Sequence, residues 1–488
     1  MDPVVSVRPL LAVLVSLAVV PVLLSSSGRP NVREAWTILA GLIKFGLIVS
    51  LVPEVLDGRE FSLTLFSFAP GADIALRVDG LGLVFALVAS FLWIVTSLYS
   101  IGYMRGLAEH SQTRFYCFFA VALSSTIGAA FAANLLTLYL FYEILSLSTY
   151  PLVTHHQDEE AIKSGRKYLA YILGTSIGLV LPAMILSYNV AGTLEFSQVG
   201  IFGTGISPTM ATVLLLVFLF GFAKAAIVPL HAWLPAAMVA PTPVSALLHA
   251  VAVVKVGAFS IVRVMTGIFG FDLLGSFHLG YSVAIIASVT IILASLIALS
   301  QDELKRRLAF STVSQLSYIV LGVALLTPYG AMGGILHIVM HAFGKITLFF
   351  CAGAIMVATG KKYISEMAGI GKRMPLTMGA FFVGSLSIIG LPPCGGFISK
   401  WYLALGTLQM QSPLLLGVIL TSSFLNAAYF LPIVYKAFFH GPSSGKVAFS
   451  RTKEPLMCVI PLLLTATGSV VLFFWPQLFI DLIEIGLR

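Results

Sequence analysis

The stretch AMGGILHIVMHAFGKITLFFCAGAIMVA, residues 331–358, decides what kind of fold this chain can adopt. It stays apolar for about eight helical turns, and yet it contains His337, His341 and Lys345. A helix needs about 20 residues to cross the hydrocarbon core of a bilayer, and it satisfies its backbone amides internally. The stretch therefore predicts a membrane-spanning helix that carries three ionisable side chains at hydrocarbon depth.

The rest of the chain has the same apolar character. Of its 488 residues, 58% are hydrophobic and 10% are charged, whereas a soluble globular chain has about 25% charged residues. We therefore predict an all-α polytopic membrane protein with about 14 transmembrane helices. The predicted spans lie near residues 8–27, 35–54, 79–101, 115–132, 135–154, 166–190, 209–234, 243–266, 281–300, 308–326, 331–358, 375–409, 413–438 and 455–479.

The basic residues indicate the orientation of these spans. The formal net charge is +8, and of the 28 lysines and arginines eighteen fall in loops on one side, called here the basic side. Five fall on the opposite side and five fall inside spans. Loops on the cytoplasmic side of a membrane are enriched in lysine and arginine. We therefore predict a multi-pass protein of a prokaryotic cell (inner) membrane with its N-terminus outside, and we do not expect it to bind nucleic acid.

The four cysteines do not form a motif that holds a cofactor. Cys117, Cys351, Cys394 and Cys458 are scattered in or near apolar spans, without a CxxC or CxxCH pattern. Metal clusters and haem attachment sites require such spacings. We expect no cofactor, no metal and no redox or hydrolytic centre in this chain, so the sequence leaves open whether it belongs to an enzyme.

Two of the predicted spans contain helix-breaking residues beside a lysine. The seventh reads GFAKAAIVPLHAWLP (221–235), with Lys224, and the twelfth reads IIGLPPCGGFISKWY (388–402), with Lys400. Breaks in corresponding helices of two halves indicate an inverted repeat with a pathway at the membrane midplane. We therefore predict that the chain consists of an N-terminal segment 1–114, a first five-helix repeat 115–268, an inverted second repeat 281–438 and a C-terminal helix 455–488.

A single carboxylate lies well inside a span. It is Glu143, in LTLYLFYEILSLSTY (136–150), and it is accompanied by several buried lysines. An isolated carboxylate in hydrocarbon would protonate, whereas a nearby opposite charge keeps it ionised. We expect Glu143 to pair with Lys224, either as a functional pair or as a static ion pair between helices.

The buried lysines share one chemistry. Loss of water favours the neutral amine, so Lys224, Lys255, Lys345 and Lys400 can each bind and release a proton near neutral pH. Any one of them could instead extend to a membrane interface. Histidines His337 and His341 precede Lys345 at helical spacing, which suits proton transfer, although polar packing and a two-histidine metal site are alternatives.

The connection between the seventh and eighth spans contains several prolines, which predict broken or kinked helices. His231 lies in this connection, and it is either a proton carrier or a structural hydrogen-bond partner. His249 and Lys255 are six residues apart, so they lie on different faces unless the helix is distorted. Lys44 belongs to neither proposed repeat, and we expect it to reach a membrane interface.

Four stretches together resemble one known family, the antiporter-like membrane subunits of Mrp-type multisubunit sodium/proton antiporters, respiratory complex I and membrane-bound hydrogenases. The resemblance covers nearly the whole chain. It is most specific in FYEILSLSTYPLV (141–153), FAKAAIVPLHAWLPAAMVAPTPVSALLHA (222–250), QDELKRRLAFSTVSQLSYIVLG (301–322) and HIVMHAFGKITLFF (337–350).

The resemblance implies a fold and a set of site residues. The fold is fourteen helices with inverted five-helix repeats and broken seventh and twelfth helices. Glu143 matches the family's key glutamate and Lys224 its partner lysine. The further proton-relay positions that match are His249, Lys255, His337, His341, Lys345 and Lys400. Lys44 has no counterpart.

The function implied is proton translocation in a multisubunit membrane complex. Lys400, and a chain that ends soon after the fourteenth span, match the D subunit of Mrp-type antiporters best. The alternative is a proton-pumping subunit of a redox-driven complex, and a third hypothesis is a scaffold that transports nothing. The expected partners are other membrane subunits, protons, lipid and, as a candidate counter-ion, sodium.

Overall fold

A computed structural model describes residues 3–203, 205–441 and 454–488, with the side chains of Leu248 and His249 outside the description. Most of the described chain is helical. The first helices are α1 (Arg8–Ser25), α2 (Pro30–Val49), α3 (Val52–Leu56), α4 (Gly80–Gly106), α5 (Gln112–Ala130), α6 (Leu135–Val153), α7 (Glu159–Thr175), α8 (Leu181–Ala191), α9 (Pro208–Gly221), α10 (Trp233–Ala236) and α11 (Thr242–Ala250). They are followed by α12 (Val253–Arg263), α13 (Phe271–Ser276), α14 (Leu279–Ser300), α15 (Leu304–Ala324), α16 (Pro328–Thr359), α17 (Ile370–Arg373), α18 (Pro375–Ile389), α19 (Gly396–Gln409), α20 (Pro413–Phe439), α21 (Leu456–Phe474) and α22 (Gln477–Leu487).

Within the described ranges, ten helical segments are long and apolar enough to cross a membrane. They are Arg8–Ser25, Pro30–Leu56, Gly80–Gly106, Leu135–Val153, Glu159–Ala191, Leu279–Ser300, Leu304–Ala324, Pro328–Thr359, Pro413–Phe439 and Leu456–Phe474. Two shorter apolar helices, Pro208–Gly221 and Pro375–Ile389, precede the two interruptions that the sequence predicts. The prediction of a helical protein with many membrane-spanning segments is therefore confirmed.

The structure adds one small sheet that the sequence did not predict, and two of its strands lie in the connection between α3 and α4. This connection supplies β2 (Phe61–Ala69) and β3 (Ala72–Val78), which pair antiparallel. A third strand, β1 (Val4–Val5), precedes α1 and pairs in parallel with β2. The sequence of β2, FSLTLFSFA, alternates apolar and polar residues over much of its length, which suits a strand with two different faces. Gly71 has a φ of +71° in the turn, a conformation that glycine adopts without steric cost.

Helix α16 lies at the centre of the molecule. It packs against α4, α11, α15, α18, α19 and α21, and nearly all of its residues are buried. Close approach is possible because glycines face its neighbours. A side chain at Gly344 would bring its Cβ to 2.9 Å from Ser387 Oγ, and one at Gly333 to 2.6 Å from the Leu403 nitrogen. Small residues allow this kind of packing between helices in membranes, and they place the polar face of α16 inside the protein.

The helical conformation is interrupted beside both lysines of the broken spans. After α9 ends at Gly221, a 3₁₀ turn at Ala223–Ala225 and irregular backbone lead to α10. The indole Nε1 of Trp233 donates a 2.9 Å hydrogen bond to the Ala223 carbonyl and holds this interruption together. The second interruption runs from Gly390, with a φ of +87°, to the start of α19. Each interruption removes backbone groups from the helical hydrogen-bond ladder and makes them available to a side chain.

Candidate functional site

Lys224 lies in the first interruption and is fully buried. Its Nζ donates hydrogen bonds to the Tyr142 carbonyl oxygen at 2.5 Å and to Ser146 Oγ at 2.7 Å, both on α6. The same Nζ lies 3.1 Å from the centroid of the Tyr142 ring. A carbonyl, a hydroxyl and an aromatic face all stabilise an ammonium group. The amine is therefore held in a polar pocket on α6.

Glu143 directly follows Tyr142 on α6, but it does not form the expected ion pair. Among the described residues, no acidic oxygen lies within 4 Å of the Lys224 amine, although the charges of Glu143 and Lys224 act on each other. Oε1 of Glu143 is buried and makes no hydrogen bond to a described residue. In this conformation the amine bonds to Tyr142 and Ser146 instead, so the carboxylate and the amine are neighbours that are not in contact.

Lys255 lies on α12, next to the first interruption. Gly257 on the same helix packs against Lys224, since a Cβ built there would lie 2.6 Å from the Lys224 Cβ. The Lys255 amine is buried and makes no hydrogen bond within the described part of the chain. Its charge acts on both His337 and Lys345 of α16. Lys255 therefore lies between the interruption and the central helix.

The eighth predicted span is also interrupted. Helix α11 ends at Ala250 and α12 begins at Val253, so the distortion that His249 and Lys255 would need to act together is present. The side chain of His249 lies outside the described residues, and its predicted role stays a prediction.

His337, His341 and Lys345 are buried along one side of α16, and the two imidazole centroids are 5.7 Å apart. His337 Nδ1 lies 2.8 Å from Ser399 Oγ, and Nε2 lies 3.1 Å from Gln315 Oε1. A neutral imidazole has one donor and one acceptor nitrogen, which matches a hydroxyl on one side and an amide oxygen on the other. His337 therefore joins α16 to α15 and α19.

Lys345 is joined to Lys400 by a chain of polar contacts that the sequence did not reveal. The Lys345 amine donates to Ser311 Oγ at 2.8 Å, and the Tyr429 hydroxyl lies 3.0 Å from the same oxygen. Tyr429 also hydrogen-bonds Asn426 Oδ1. The chain then passes through the carbonyl oxygen of Ile388, which accepts from Asn426 Nδ2 at 3.3 Å and from the Lys400 amine at 2.9 Å.

This network orients the two amines, but it is not a complete proton wire. The hydroxyls of Ser311 and Tyr429 can each accept one proton and donate another, whereas a carbonyl oxygen and an amide group do not pass protons on. A proton that crosses from Lys345 to Lys400 therefore needs water beside Asn426. Among the residues that sequence reasoning missed, Asn426 had the clearest signal, because an asparagine is unusual in the apolar stretch of α20, while serines occur in most of the spans.

Lys400 lies near the start of α19, just after the second interruption, and is nearly fully buried. Its amine donates to the carbonyl oxygens of Ile388 and Ile389, at 2.9 and 3.0 Å, and to Ser423 Oγ at 3.0 Å. The centroid of the Tyr318 ring is 4.9 Å away. Both carbonyls belong to the end of α18, where the interruption leaves them without helical partners.

The expectation that Lys44 reaches a membrane interface is wrong. The side chain is fully buried and its amine donates a 2.6 Å hydrogen bond to Ser16 Oγ, halfway along α1. The centroid of the Trp93 ring on α4 lies 5.3 Å from the amine. Lys44 therefore points between α1 and α4, apart from the other four lysines.

Two cavities open at opposite ends of α4. The cavity on the basic side has a volume of about 880 Å³, and its lining includes Glu109, His156, His231 and Phe310. Phe310 directly precedes Ser311, the residue that holds the Lys345 amine. The cavity on the other side has a volume of about 460 Å³, and Asp79 and Arg263 contribute to its lining. Cavities with charged side chains in their lining are thus present at both ends of the helices.

Comparisons with known proteins place these features in a family. A family model described as "NADH:quinone oxidoreductase/Mrp antiporter, TM" matches residues 132–426. A second, described as "NADH-Ubiquinone oxidoreductase (complex I), chain 5 N-terminus", matches residues 69–116. The first match covers more than half of the chain and includes all the candidate residues from Glu143 to Lys400.

Relatives of three kinds are similar to most of the chain. NADH-quinone oxidoreductase subunit N of Desulforudis audaxviator is 31% identical over 96% of this chain and 97% of its own length. Hydrogenase-4 component B of Escherichia coli is 32% identical over 87% of this chain and 67% of its own. The Na(+)/H(+) antiporter subunit A1 of Staphylococcus aureus is 32% identical over 79% of this chain and 49% of its own.

Solved structures share the fold. A chain of the Mrp complex from Dietzia sp. superposes with a TM-score of 0.86 at 23% identity, covering 99% of this chain and 96% of that one. A chain of the membrane-bound sulfane sulfur reductase, an archaeal respiratory membrane complex, gives a TM-score of 0.87 at 25% identity, covering 99% and 97%.

Proposed function

The chain belongs to the membrane-subunit family shared by NADH:quinone oxidoreductases and Mrp antiporters, and from this premise we propose that it translocates protons as one subunit of a multisubunit membrane complex. The observation that carries the proposal is the set of buried amines. Lys224, Lys255, Lys345 and Lys400 lie in the interior without a contacting acidic side chain among the described residues. Buried charges of this kind are costly in a membrane and mark ion pathways.

The proposed architecture has fourteen membrane-spanning helices. Three lie in an N-terminal segment 1–114, five lie in each of two inverted repeats, 115–268 and 281–438, and one is the C-terminal helix 455–488. Two features support it: a helix interruption beside Lys224 and another beside Lys400. The proposed location is a prokaryotic inner membrane with the N-terminus outside, which the excess of basic residues in the loops of one side supports.

In the proposed route a proton is taken up on one side and passed from Lys224 to Lys255. It continues through the group formed by His337, His341 and Lys345 to Lys400, and it leaves on the other side. His249 is proposed as a further station beside Lys255. The charge interaction of Lys255 with His337 and Lys345, and the polar network from Lys345 to Lys400, support this order.

Glu143 is proposed to control the first station. When the Lys224 amine leaves Tyr142 and Ser146 and contacts Glu143, the ion pair stabilises its proton, and when the contact opens the proton can be released. A membrane potential of 100 mV contributes about 2.3 kcal/mol per charge. The change in ion pairing has to supply energy of that size to move a proton against such a potential.

The first experiment removes the two groups of this switch. In the intact complex reconstituted in vesicles, Lys224→Ala or Glu143→Ala should reduce proton flux more than about tenfold, since each removes an interaction that transport requires. Assembly of the complex should persist. Lys163→Ala, which removes an exposed lysine from α7, is the matched control and should keep normal flux. Normal flux in Lys224→Ala and Glu143→Ala would exclude the mechanism.

A combined variant separates a transporter from a scaffold. Replacement of Lys224, Lys345 and Lys400 together leaves ion flux unchanged if the chain only holds its neighbours in place. We expect flux to be lost, because three of the buried stations disappear.

Two energy sources for transport are each favoured by an observation. Lys400 at the last station favours an Mrp-type antiporter of the D class, which exchanges protons against sodium. Similarity to subunit N of an NADH-quinone oxidoreductase over 96% of the chain favours a redox-driven complex. Purification of the complex decides between them: small antiporter subunits should accompany the chain in the first case, and subunits with iron–sulfur, flavin or nickel–iron centres in the second.

A further inference from the structure

A cluster of histidines and one carboxylate lies on the basic side, outside the proposed route. Glu109 and His110 come from the loop after α4, and His155 and His156 come from the loop between α6 and α7. His156 Nε2 lies 3.3 Å from Glu109 Oε1, and His155 Nε2 lies 3.9 Å from Glu109 Oε2. The rings of His110 and His155 are stacked with centroids 5.0 Å apart. One carboxylate is therefore shared by two imidazoles.

The two loops are held in this arrangement by further contacts. Arg114 Nη2 donates a 2.7 Å hydrogen bond to the His155 carbonyl oxygen, and Gln112 Nε2 donates to the Glu109 carbonyl oxygen at 3.1 Å. The His155 ring is fully buried, and neither of its nitrogens is hydrogen-bonded to a described residue. The cluster thus contains an imidazole that makes no hydrogen bond to a described residue, beside a carboxylate that already binds another imidazole.

The members of the cluster differ in how readily they hold a proton. The hydrogen bond with Glu109 raises the pKa of His156, against the effect of burial, with a further contribution from Asp158 and an opposing one from Lys305. Burial lowers the pKa of His155 to about 4, although the Glu109 charge opposes this effect. Burial acts to raise the pKa of Glu109, but the hydrogen bond and the charge of His156 outweigh it and the pKa is lowered.

These groups adjoin the larger cavity. Glu109 and His156 both line it, together with His231 and Phe310. Lys305 and Asp158, the charged neighbours that act on His156, line it as well. A proton released by the Glu109–His156 pair therefore enters the water-accessible space that also borders the residue before Ser311.

We propose that Glu109 and His156 form a proton-binding site that collects protons at the surface and supplies them to this cavity, with the buried His155 packed beside the shared carboxylate. The inference rests on the proposed function, because it concerns how protons reach the transport route. An imidazole such as that of His156, which binds and releases protons, passes them to a route faster than bulk water can when the proton concentration is low. A metal site does not fit as well, since no group of three histidine, cysteine or acidic side chains in the described ranges has a metal-binding arrangement.

The test measures proton flux of the intact complex in vesicles as a function of the pH on the basic side. The double variant Glu109→Gln/His156→Gln should lose flux several-fold near pH 8, where bulk protons are scarce, and should match the unaltered complex near pH 6. A mobile imidazole buffer should restore the flux at pH 8, because it replaces the missing collector. His156→Gln alone should show a smaller loss with the same rescue, and it serves if the double variant does not assemble.

Two control variants distinguish the proton-collecting site from the transport route. His440→Gln changes an exposed histidine that does not line the cavity, and it should leave the pH profile unchanged. Lys224→Ala should lose flux at every pH without rescue by buffer. An unchanged pH profile in the His156 variants, or a loss that buffer does not restore, would overturn the proton-collecting site. Normal flux in Lys224→Ala would instead overturn the proposed function.

Discussion

Lys224 and Lys400 occupy similar surroundings in two distant parts of the chain. Lys224 lies in a helix interruption and Lys400 lies just after one, and each donates to a backbone carbonyl and to a serine hydroxyl beside an aromatic ring. They differ in their acidic neighbours. Glu143 acts electrostatically on Lys224, whereas no described carboxylate acts on Lys400.

This difference indicates that the two lysines have different tasks. An opposite charge that can approach or withdraw changes how tightly an amine holds its proton. Lys224 has such a charge on the adjacent helix, so its proton affinity can be switched by a small side-chain movement. Lys400 has fixed carbonyl and hydroxyl partners. Its affinity for a proton is therefore set by burial and by the carbonyl groups at the end of α18. The first site suits control of transport, and the second suits release.

The largest effect that bears on this comparison is expected from Lys400→Met. Methionine fills a similar volume without a titratable group, so proton flux should fall more than about tenfold, as for loss of any required station. Glu143 and Lys224 remain intact in this variant, so a loss of flux is caused by the change at Lys400. The stations act in series, and the first site therefore cannot replace the last one.

The matched control is Trp401→Phe, which changes the exposed next residue of α19 and should preserve flux in the same vesicle assay. If Lys400→Met transports protons normally, the likeness between the two interruptions has no functional meaning and Lys400 is a packing residue.

A smaller effect is expected when the second site is given the carboxylate that it lacks. Ser423 Oγ lies 3.0 Å from the Lys400 amine, so Ser423→Asp places an acidic group in contact with it. A charged hydrogen bond is worth about 1.5 kcal/mol, which corresponds to about one pH unit. Lys400 should then hold its proton more tightly, and the pH optimum of flux should move upward by about that amount.

Ser423→Asn is the control for this change, because it has the same shape without the charge. Flux should fall several-fold in the Asp variant near neutral pH and only slightly in the Asn variant. An unchanged optimum in Ser423→Asp would show that release from Lys400 does not limit transport.

Much of the helical framework follows from composition and from the positions of glycine and proline. The interruptions beside Lys224 and Lys400 are visible as Pro and Gly next to a lysine in an otherwise apolar span. The central position of α16 follows from three ionisable residues that no lipid-facing helix would carry. The small sheet was not predicted, although the alternation of apolar and polar residues in β2 is typical of a strand.

Contacts between helices could not be predicted in the same way. Sequence places Glu143 and Lys224 at similar depth, but which of several partners the amine chooses depends on side-chain geometry within about 1 Å. The hydrogen bond between Ser311 and Tyr429 joins residues 118 positions apart, and of the three residues in the link to Asn426 only the asparagine is unusual in its span. Only the packing of α15 against α20 brings them together.

The smallest effect is expected at Lys44, the third lysine in the comparison. Like Lys224 and Lys400 it contacts a serine hydroxyl and lies near an aromatic ring. Unlike them it does not adjoin a helix interruption, since it lies within the continuous helix α2, and its amine has no backbone carbonyl among its described partners. Lys44→Met should therefore change proton flux by less than about twofold, in contrast to loss of a station.

The same variant tests what makes a buried lysine a transport site. Lys44 has a single described hydrogen-bond acceptor, and replacing a poorly satisfied buried polar group with an apolar one of similar volume is neutral or stabilising. The thermal stability of the complex should therefore stay the same or rise in Lys44→Met. If flux collapses instead, a hydroxyl and an aromatic ring are sufficient to make a proton station. The helix interruptions at Lys224 and Lys400 would then shape the backbone without being required for transport.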